Sequence, residues 1–133
     1  MGIFDSLFSV LNGKNKEVVG VTISVAHEMY KQKNFNGAIQ TINEVIKQND
    51  KNAYSYFFRA NVKEDMSDPI GAIKDYEIGL MLQSWYSIFH QVGVNYDALK
   101  KFKEADVAYT KAIELKKEQD WVREASNISL AYQ

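Results

Sequence analysis

Residues 93–112, which read GVNYDALKKFKEADVAYTKA, are the clearest copy of a pattern that occurs three times along the chain. Its central alanine, Ala105, follows Ala72 by 33 residues, and Ala72 follows Ala38 by 34. Small residues at a period near 34 predict pairs of helices that stack side by side, because neither helix of a pair can bury its apolar face alone. Four further columns repeat with the same spacing: Ala26, Ala60 and Gly93; Phe35, Pro69 and Phe102; Ile42, Tyr76 and Tyr109; Val45, Gly79 and Ala112.

The composition narrows the classes of function to consider. The chain has 133 residues and a formal net charge of −1, from 16 basic and 17 acidic side chains. Nucleic-acid binding draws most of its affinity from phosphate neutralisation, so this balance predicts no nucleic-acid partner. Cysteine is absent, which excludes disulfides and thiolate chemistry. Without a secretory leader or an apolar run of about 18 residues, we expect a cytoplasmic protein and rank membrane association low.

Apolar residues recur at helical spacing along most of the chain, and polar residues stand where helices should begin. Asn34, Asp68 and Ser84 are placed to cap the helices that follow them. Pro69, directly after Asp68, suits the first turn of a helix because its missing N–H has no intrahelical partner there. The predicted repeat helices span residues 16–32, 35–48, 53–65, 69–82, 85–99 and 102–116.

Both ends of the predicted array carry apolar stripes. A repeat array exposes an apolar face at each end, so a separate helix over about 120–131 is expected to cap the stack. Its apolar stripe consists of Trp121, Val122, Ala125, Ile128 and Tyr132. At the other end, residues 1–17 form an amphipathic segment and linker, with a stripe at Ile3, Phe4, Leu7, Phe8 and Leu11. This segment could cap the first helix, dock in the chain's own groove, pair with a second subunit or lie on a membrane.

The chain resembles the tetratricopeptide repeat family over about residues 19–118. The third unit carries the match best, with Gly93, Tyr96, Phe102, Ala105, Tyr109 and Ala112 at the family's small and aromatic positions. The resemblance implies an all-α fold in which three helix pairs form a right-handed superhelical array, followed by the capping helix. The repeats would cover about 19–52, 53–85 and 86–118 within a repeat domain of residues 18–133.

No arrangement of residues suggests catalysis. His27 and Glu28 begin like the zinc-protease helix motif, but Lys31 stands where the second histidine must be. The other histidine, His90, belongs to a different repeat, too far along the stack to act with His27. We therefore predict no enzymatic activity, no metal site and no cofactor.

The resemblance also implies where a partner would bind, namely on the concave face carried by the first helix of each unit. The candidate contact residues are Ile23, His27, Tyr30, Tyr54, Phe57, Asn61, His90 and Val94. Aromatic and aliphatic anchors suit a peptide or helix that presents apolar residues. Aromatic residues at helical spacing also pack into cores, so Tyr54 and Phe57 could belong to either environment.

One branch of the family grips the C-terminal carboxylate of heat-shock chaperones with cationic and amide side chains. Here those positions hold Ile23, His27, Phe58, Ser87 and Gln91. Without a cationic fork, carboxylate binding is not expected. The sequence therefore predicts a non-enzymatic adaptor or assembly factor that binds an apolar segment of another protein. The alternatives are a self-associating or membrane-peripheral scaffold organised by the N-terminal segment, with homodimerisation through it, and a secretion-type chaperone.

Arg59 invites a structural interpretation. It stands in a column that otherwise holds Val25 and Val92, and Asp75 lies on the predicted partner helix of the same unit. We expect the two side chains to form an ion pair within the repeat.

Overall fold

The structure is a computed structural model that describes the backbone of residues 16–131 and the side chains of residues 22–129. Within these residues the regular secondary structure is all helix, without strands, which confirms the predicted all-α class. The predictions for the N-terminal stripe and for Tyr132 lie outside the described residues. The helices are α1 (Lys16–Lys31), α2 (Phe35–Gln48), α3 (Ala53–Asp65), α4 (Pro69–Leu82), α5 (Tyr86–Ala98) and α6 (Phe102–Ala131).

The described residues divide between Gln83 and Ser84 into two compact units. In the first unit α1 packs against α2, α2 against α3, and α3 against α4, which gives two consecutive helix pairs. In the second unit α5 packs against α6 as a third pair. The division lies close to the boundary that the sequence predicts between the second and third repeats.

Small residues let the helices of the first unit approach closely. Ala26, Ala38, Ala60 and Ala72 are each fully buried, as their fixed spacing predicts. Larger apolar side chains fill the space beside the first two of these alanines. They are Ile42, Val45, Phe58 and Val62. In the second unit Ala105 is likewise fully buried.

Two predicted caps are confirmed and one is wrong. The backbone N–H of Gly37 donates to Asn34 Oδ1 at 3.0 Å, and that of Gly71 donates to Asp68 Oδ1 at 2.9 Å. Both bonds satisfy a donor that the first helical turn leaves unpaired. Ser84 does not cap α5, because the helix begins one residue later than predicted and Trp85 takes the cap position, where its side chain makes no capping hydrogen bond.

The same backbone conformation recurs at the turn inside each helix pair. Lys33, Ser67 and Lys100 have positive φ angles of 61°, 60° and 59°, at intervals of 34 and 33 residues. Each residue follows the first helix of its pair by two positions. A left-handed residue at this point ends the helix and redirects the chain, so the backbone repeats with the same period as the alanines.

The predicted break before a separate C-terminal helix is wrong. Residues 120–131 are helical, but they continue α6, which runs for 30 residues. Neither glycine nor proline interrupts this stretch, and an ion pair between Lys116 and Asp120, at 3.0 Å, crosses the predicted gap. Trp121 is 69% exposed, whereas a residue that capped the stack would be buried.

Candidate functional site

The aromatic side chains of α1 and α3 meet on one side of the first unit. We call this surface the α1/α3 face, and it consists of Ile23, His27, Tyr30, Tyr54 and Phe58. The Phe58 ring lies 4.6 Å from that of His27 and 5.9 Å from that of Tyr30, between centroids. The Tyr54 ring lies 5.7 Å from that of His27. Residues three or four apart share a side of a helix, and this spacing aligns the two rows of side chains.

The α1/α3 face is graded in exposure. Tyr54 is 42% exposed, whereas Phe58 is 3% exposed and belongs to the core. Ile23 and Tyr30 are half-buried and pack against the core cluster that contains Phe58. The arrangement offers an apolar surface with a rigid base and an accessible aromatic edge.

His27 is held in its neutral form. Burial lowers the pKa of His27 below its usual 6.5, and the nearby positive charge of Lys31 lowers this pKa further. His27 Nε2 shares a hydrogen bond with the hydroxyl of Tyr54 across the two helices. Burial also raises the pKa of Tyr54. At neutral pH His27 therefore contributes no positive charge to the face.

A second hydrogen bond joins the same two helices. The hydroxyl of Tyr30 donates to Asp65 Oδ2. That bond is the main reason that the pKa of Tyr30 rises to about 12, followed by burial and the negative charges of Asp65 and Glu64. Tyr30 therefore keeps its proton at neutral pH and continues to donate to Asp65.

Asn61 has a supporting role as well as an exposed position. The fully buried Tyr76 of α4 directs its hydroxyl at Asn61 Oδ1, at 2.5 Å, and at Glu64 Oε1, at 2.8 Å. Burial is the main cause that raises the pKa of Tyr76, and the bond to Glu64 adds to it. Asn61 thus helps to hold α4 against α3 at one end of the face.

Phe57 is not a surface residue. It is 5% exposed, and its ring packs so closely on α4 that a Cβ atom at Gly79 would lie 2.3 Å from Phe57 Cε1. This contact resolves the choice between groove and core in favour of the core. Tyr54, on the same helix, lies on the surface instead. The sequence signal for this packing was Gly79, because a glycine in a column of repeated small residues leaves room for a ring such as that of Phe57.

His90 and Val94 lie in the second unit, on α5. Val94 is 42% exposed, and the His90 ring lies 5.4 Å from that of Tyr109. His90 also lines an open depression of about 480 Å³ between α5 and α6. The other residues that line the depression are Tyr86, Ser87, Gln91, Ala112, Ile113 and Lys116. The eight predicted contact residues therefore fall into two sets, six on the first unit and two on the second.

Phe58 is the residue of this face that the sequence analysis did not propose as a contact. It was considered only as one of the positions that lack a carboxylate-binding side chain. It lies four residues after Tyr54 and four before Val62, and that spacing is the signal that places all three on one side of α3.

The described residues contain neither a cluster of metal-binding side chains nor a helix that could span a membrane. Among residues 22–129, His, Asp and Glu side chains nowhere gather in a group of three or more that could hold a metal ion. No helix in the described part of the chain combines the length and the apolar character that crossing a bilayer requires.

Solved structures with the same fold are similar to this chain. The crystal structure of MamA matches with a TM-score of 0.75 and 18% identity over 77% of this chain, and the match spans 60% of the MamA chain. The TPR domain of Arabidopsis OM64 matches with a TM-score of 0.69 and 24% identity over 76% of this chain and 84% of that one. The first TPR of Spaghetti (RPAP3), bound to the HSP90 peptide SRMEEVD, matches with a TM-score of 0.71 and 19% identity over 86% and 94% of the two chains.

Sequence comparison adds nothing to this likeness: no family model matches the chain, and no curated protein matches it. The likeness to the solved structures agrees with the repeat period, the buried alanines and the recurring left-handed turns. The chain therefore has the fold of the tetratricopeptide repeat domains.

Proposed function

We propose that this chain is a non-enzymatic, cytoplasmic adaptor or assembly factor that binds an apolar peptide or helix of a partner protein on the α1/α3 face. The observation that carries the proposal is the cluster of His27 and Tyr30 against Phe58, with Tyr54 beside His27 and 42% exposed. Aromatic side chains supply much contact area at a low cost in conformational entropy, and they are enriched where partners bind tightly.

The chemistry of the face argues for an apolar ligand. A carboxylate ligand needs a cationic or amide fork, and the corresponding positions on α1 and α3 hold Ile23, His27 and Phe58. Because the pKa of His27 is lowered, this residue does not become a cation at neutral pH. Similar repeats do bind peptides, as the RPAP3 domain with SRMEEVD does. We expect that acidic peptide not to bind this chain.

The proposal can be tested by placing a photo-crosslinking amino acid at residue 54 in the native cell, with residue 78 as the matched control. Tyr54 and Ile78 are similarly exposed, at 42% and 40%, but Ile78 lies on α4 and is not a member of the α1/α3 face. We expect residue 54 to capture a partner that residue 78 does not, and mass spectrometry then gives the contacted segment.

A synthetic peptide of that segment should bind with a Kd of about micromolar, since a flexible peptide loses entropy on binding. Tyr54→Ala should weaken binding about tenfold or more, whereas Ile78→Ala should leave it unchanged. Affinity should change little between low and high salt, because apolar contacts dominate. Equal binding by both variants, or capture from residue 78 alone, would exclude the α1/α3 face as the binding surface.

A scaffold organised by the N-terminal segment is the second candidate, motivated by the stripe at Phe4, Leu7, Phe8 and Leu11. Deleting residues 1–12 separates the two functions. The adaptor keeps its peptide affinity after the deletion, whereas the scaffold loses self-association or membrane cosedimentation.

A further inference from the structure

The C-terminal half of α6 has no helix packed against it within the second unit. With 13 residues, α5 is about 20 Å long, whereas the 30 residues of α6 extend for about 45 Å. The side chains of residues 121–129 are all exposed. The C-terminal half of α6 is about 15 residues long, and a helical segment of that length is only marginally stable in water without packing. A partner packed against it would therefore stabilise it considerably.

One side of α6 carries a regular row of residues, which we call the α6 stripe; it starts at Ile113, which also lines the depression beside α5, and continues along the unpacked half. It consists of Ile113, Lys117, Trp121, Glu124 and Ile128, at intervals of four, four, three and four, and such intervals keep side chains on one side of a helix. The three apolar members are 57%, 69% and 59% exposed in chain order.

The two charged members of the stripe are available for an external partner. Lys117 and Glu124 are exposed. Neither takes part in the ion pairs on α6, which join Asp120 to Lys116 and to Arg123. A ligand for this stripe should therefore offer apolar residues at both ends, with one acidic and one basic residue between them.

A second copy of the α6 stripe that runs in the opposite direction offers these residues in the required order. The pair Ile113 and Ile128 and the pair Lys117 and Glu124 are both centred on the same point, between Asp120 and Trp121. A two-fold axis through that point would set each Ile113 opposite an Ile128, and each Lys117 opposite a Glu124. By the same rule each Trp121 would lie opposite Asp120 of the other copy, so the two indole rings would lie on either side of the axis.

From this self-complementarity we propose that two copies of the chain associate through antiparallel α6 stripes. The interface would be isologous, with each contact made twice. Packed helices lie about 8–10 Å apart, a separation that lysine and glutamate side chains can bridge. The indole rings would bury apolar area on either side of the axis, close to the centre of the contact, where interface residues contribute most.

The charges on α6 favour the antiparallel pairing over a parallel pairing and over binding to a membrane surface. A parallel pairing would set lysine against lysine and glutamate against glutamate, which repel. A membrane surface favours a helix with a basic polar face, whereas this half of α6 also carries Glu118, Asp120 and Glu124. The short contact should bury less than about 1,200 Å², an area typical of weak complexes, so we expect a dimer with a Kd in the range of about 10–100 μM.

The test uses the full-length chain and two charge reversals, Lys117→Glu and Glu124→Lys. Each variant alone places like charges opposite each other and should be monomeric in sedimentation equilibrium, with its Kd raised about tenfold or more. Mixed together, the two variants restore both opposite-charge pairs, and a heterodimer should form. Lys51→Glu, an equal change of charge at an exposed turn residue of the first unit, should dimerise like the wild type.

Circular dichroism of each variant checks that helix content is unchanged, and Trp121→Ala provides a second variant that should also weaken the dimer. The proposal is overturned if the wild type stays monomeric up to about 1 mM, far above the expected Kd. It is equally overturned if either charge reversal leaves the dimer intact, or if the folded variants do not associate with each other when mixed.

Discussion

Asp75 of α4 accepts two hydrogen bonds from Arg59 of α3, one on each carboxylate oxygen. Arg59 Nη2 lies 2.6 Å from Oδ1, and Nε lies 2.8 Å from Oδ2. Asp75 is 2% exposed, and Lys63 adds a contact at 2.9 Å from its Nζ to Oδ2. This geometry is the ion pair expected within the second repeat. It makes the junction of α3 and α4 depend on a buried charge that must stay paired.

The first prediction concerns this pair. Arg59→Ala should lower the free energy of unfolding by about 3 kcal/mol, because it removes a partner of a buried carboxylate, although Lys63 remains to compensate it in part. The double variant with Asp75→Ala should lose less than the sum of the single losses, with a coupling of about 1–3 kcal/mol. Urea unfolding measures all three variants. The corresponding single and double variants of the exposed pair Lys116 and Asp120 should show no measurable coupling. Equal coupling at both pairs would contradict the argument from burial.

The second prediction concerns the contact of Gly79 with Phe57. Alanine favours a helix by about 1 kcal/mol over glycine, but its Cβ atom would lie 2.3 Å from the Phe57 ring, and overpacking of this kind costs about 1–3 kcal/mol. Gly79→Ala should therefore destabilise the protein in thermal unfolding, despite the gain in helix propensity. Phe57→Leu in the same chain should relieve the crowding. A Gly79→Ala variant that is more stable than the wild type would show that this packing is not as tight as described.

The third prediction concerns stability at alkaline pH. The folded-state pKa of Tyr30, raised to about 12, lies above the usual value of 10, so folding favours the protonated phenol. Its contribution to stability is complete below about pH 10 and is lost as the pH rises from about 10 to 12. Tyr30→Phe should make the decline of the unfolding midpoint in this range shallower. An unchanged slope would mean that the bond to Asp65 does not govern the ionisation of Tyr30.

The fourth prediction concerns His27. Burial and Lys31 lower its pKa, so its NMR titration midpoint should lie below 6.5, the value expected in the unfolded chain. Folding favours the neutral imidazole. The contribution of His27 to stability is therefore present above about pH 6.5 and is lost as the pH falls below that value. Lys31→Gln should shift the midpoint upward, and a midpoint above 6.5 in the wild type would contradict the neutral α1/α3 face.

Most of the fold was predictable because its determinants are local. The helices of the first four predicted segments begin and end within one residue of their predicted bounds, since periodicity, Asn34 and Asp68 act within a few residues of the boundaries they set. The prediction that Ser84 caps α5 was wrong because none of Ser84, Trp85 and Tyr86 marks the first helical residue, which left the start of α5 ambiguous by one position. The predicted break before residue 120 was wrong because it came from the expectation that a separate helix caps the array. Nothing in the local sequence ends a helix there.

The candidate site was predictable in position but not in detail. The resemblance predicted partner contacts on α1 and α3, and His27, Tyr30 and Tyr54 lie on the same face of these helices. Phe57 and Phe58 are adjacent aromatic residues, and the periodicity of α3 alone does not decide what either one packs against. Phe57 packs on Gly79 of α4, and Phe58 contacts His27 and Tyr30 of α1.

The sequence by itself determined that the chain forms helix pairs, since the columns at Ala38, Ala72 and Ala105 require close packing at a fixed interval and the caps act within single turns. Only the tertiary structure decided which aromatic residues are buried and that α6 continues past its partner helix. Burial depends on the element packed opposite, and that element is distant in sequence. For the same reason the exposure of Tyr54 and of the α6 stripe, on which the two proposals rest, could be seen only once the helices were packed.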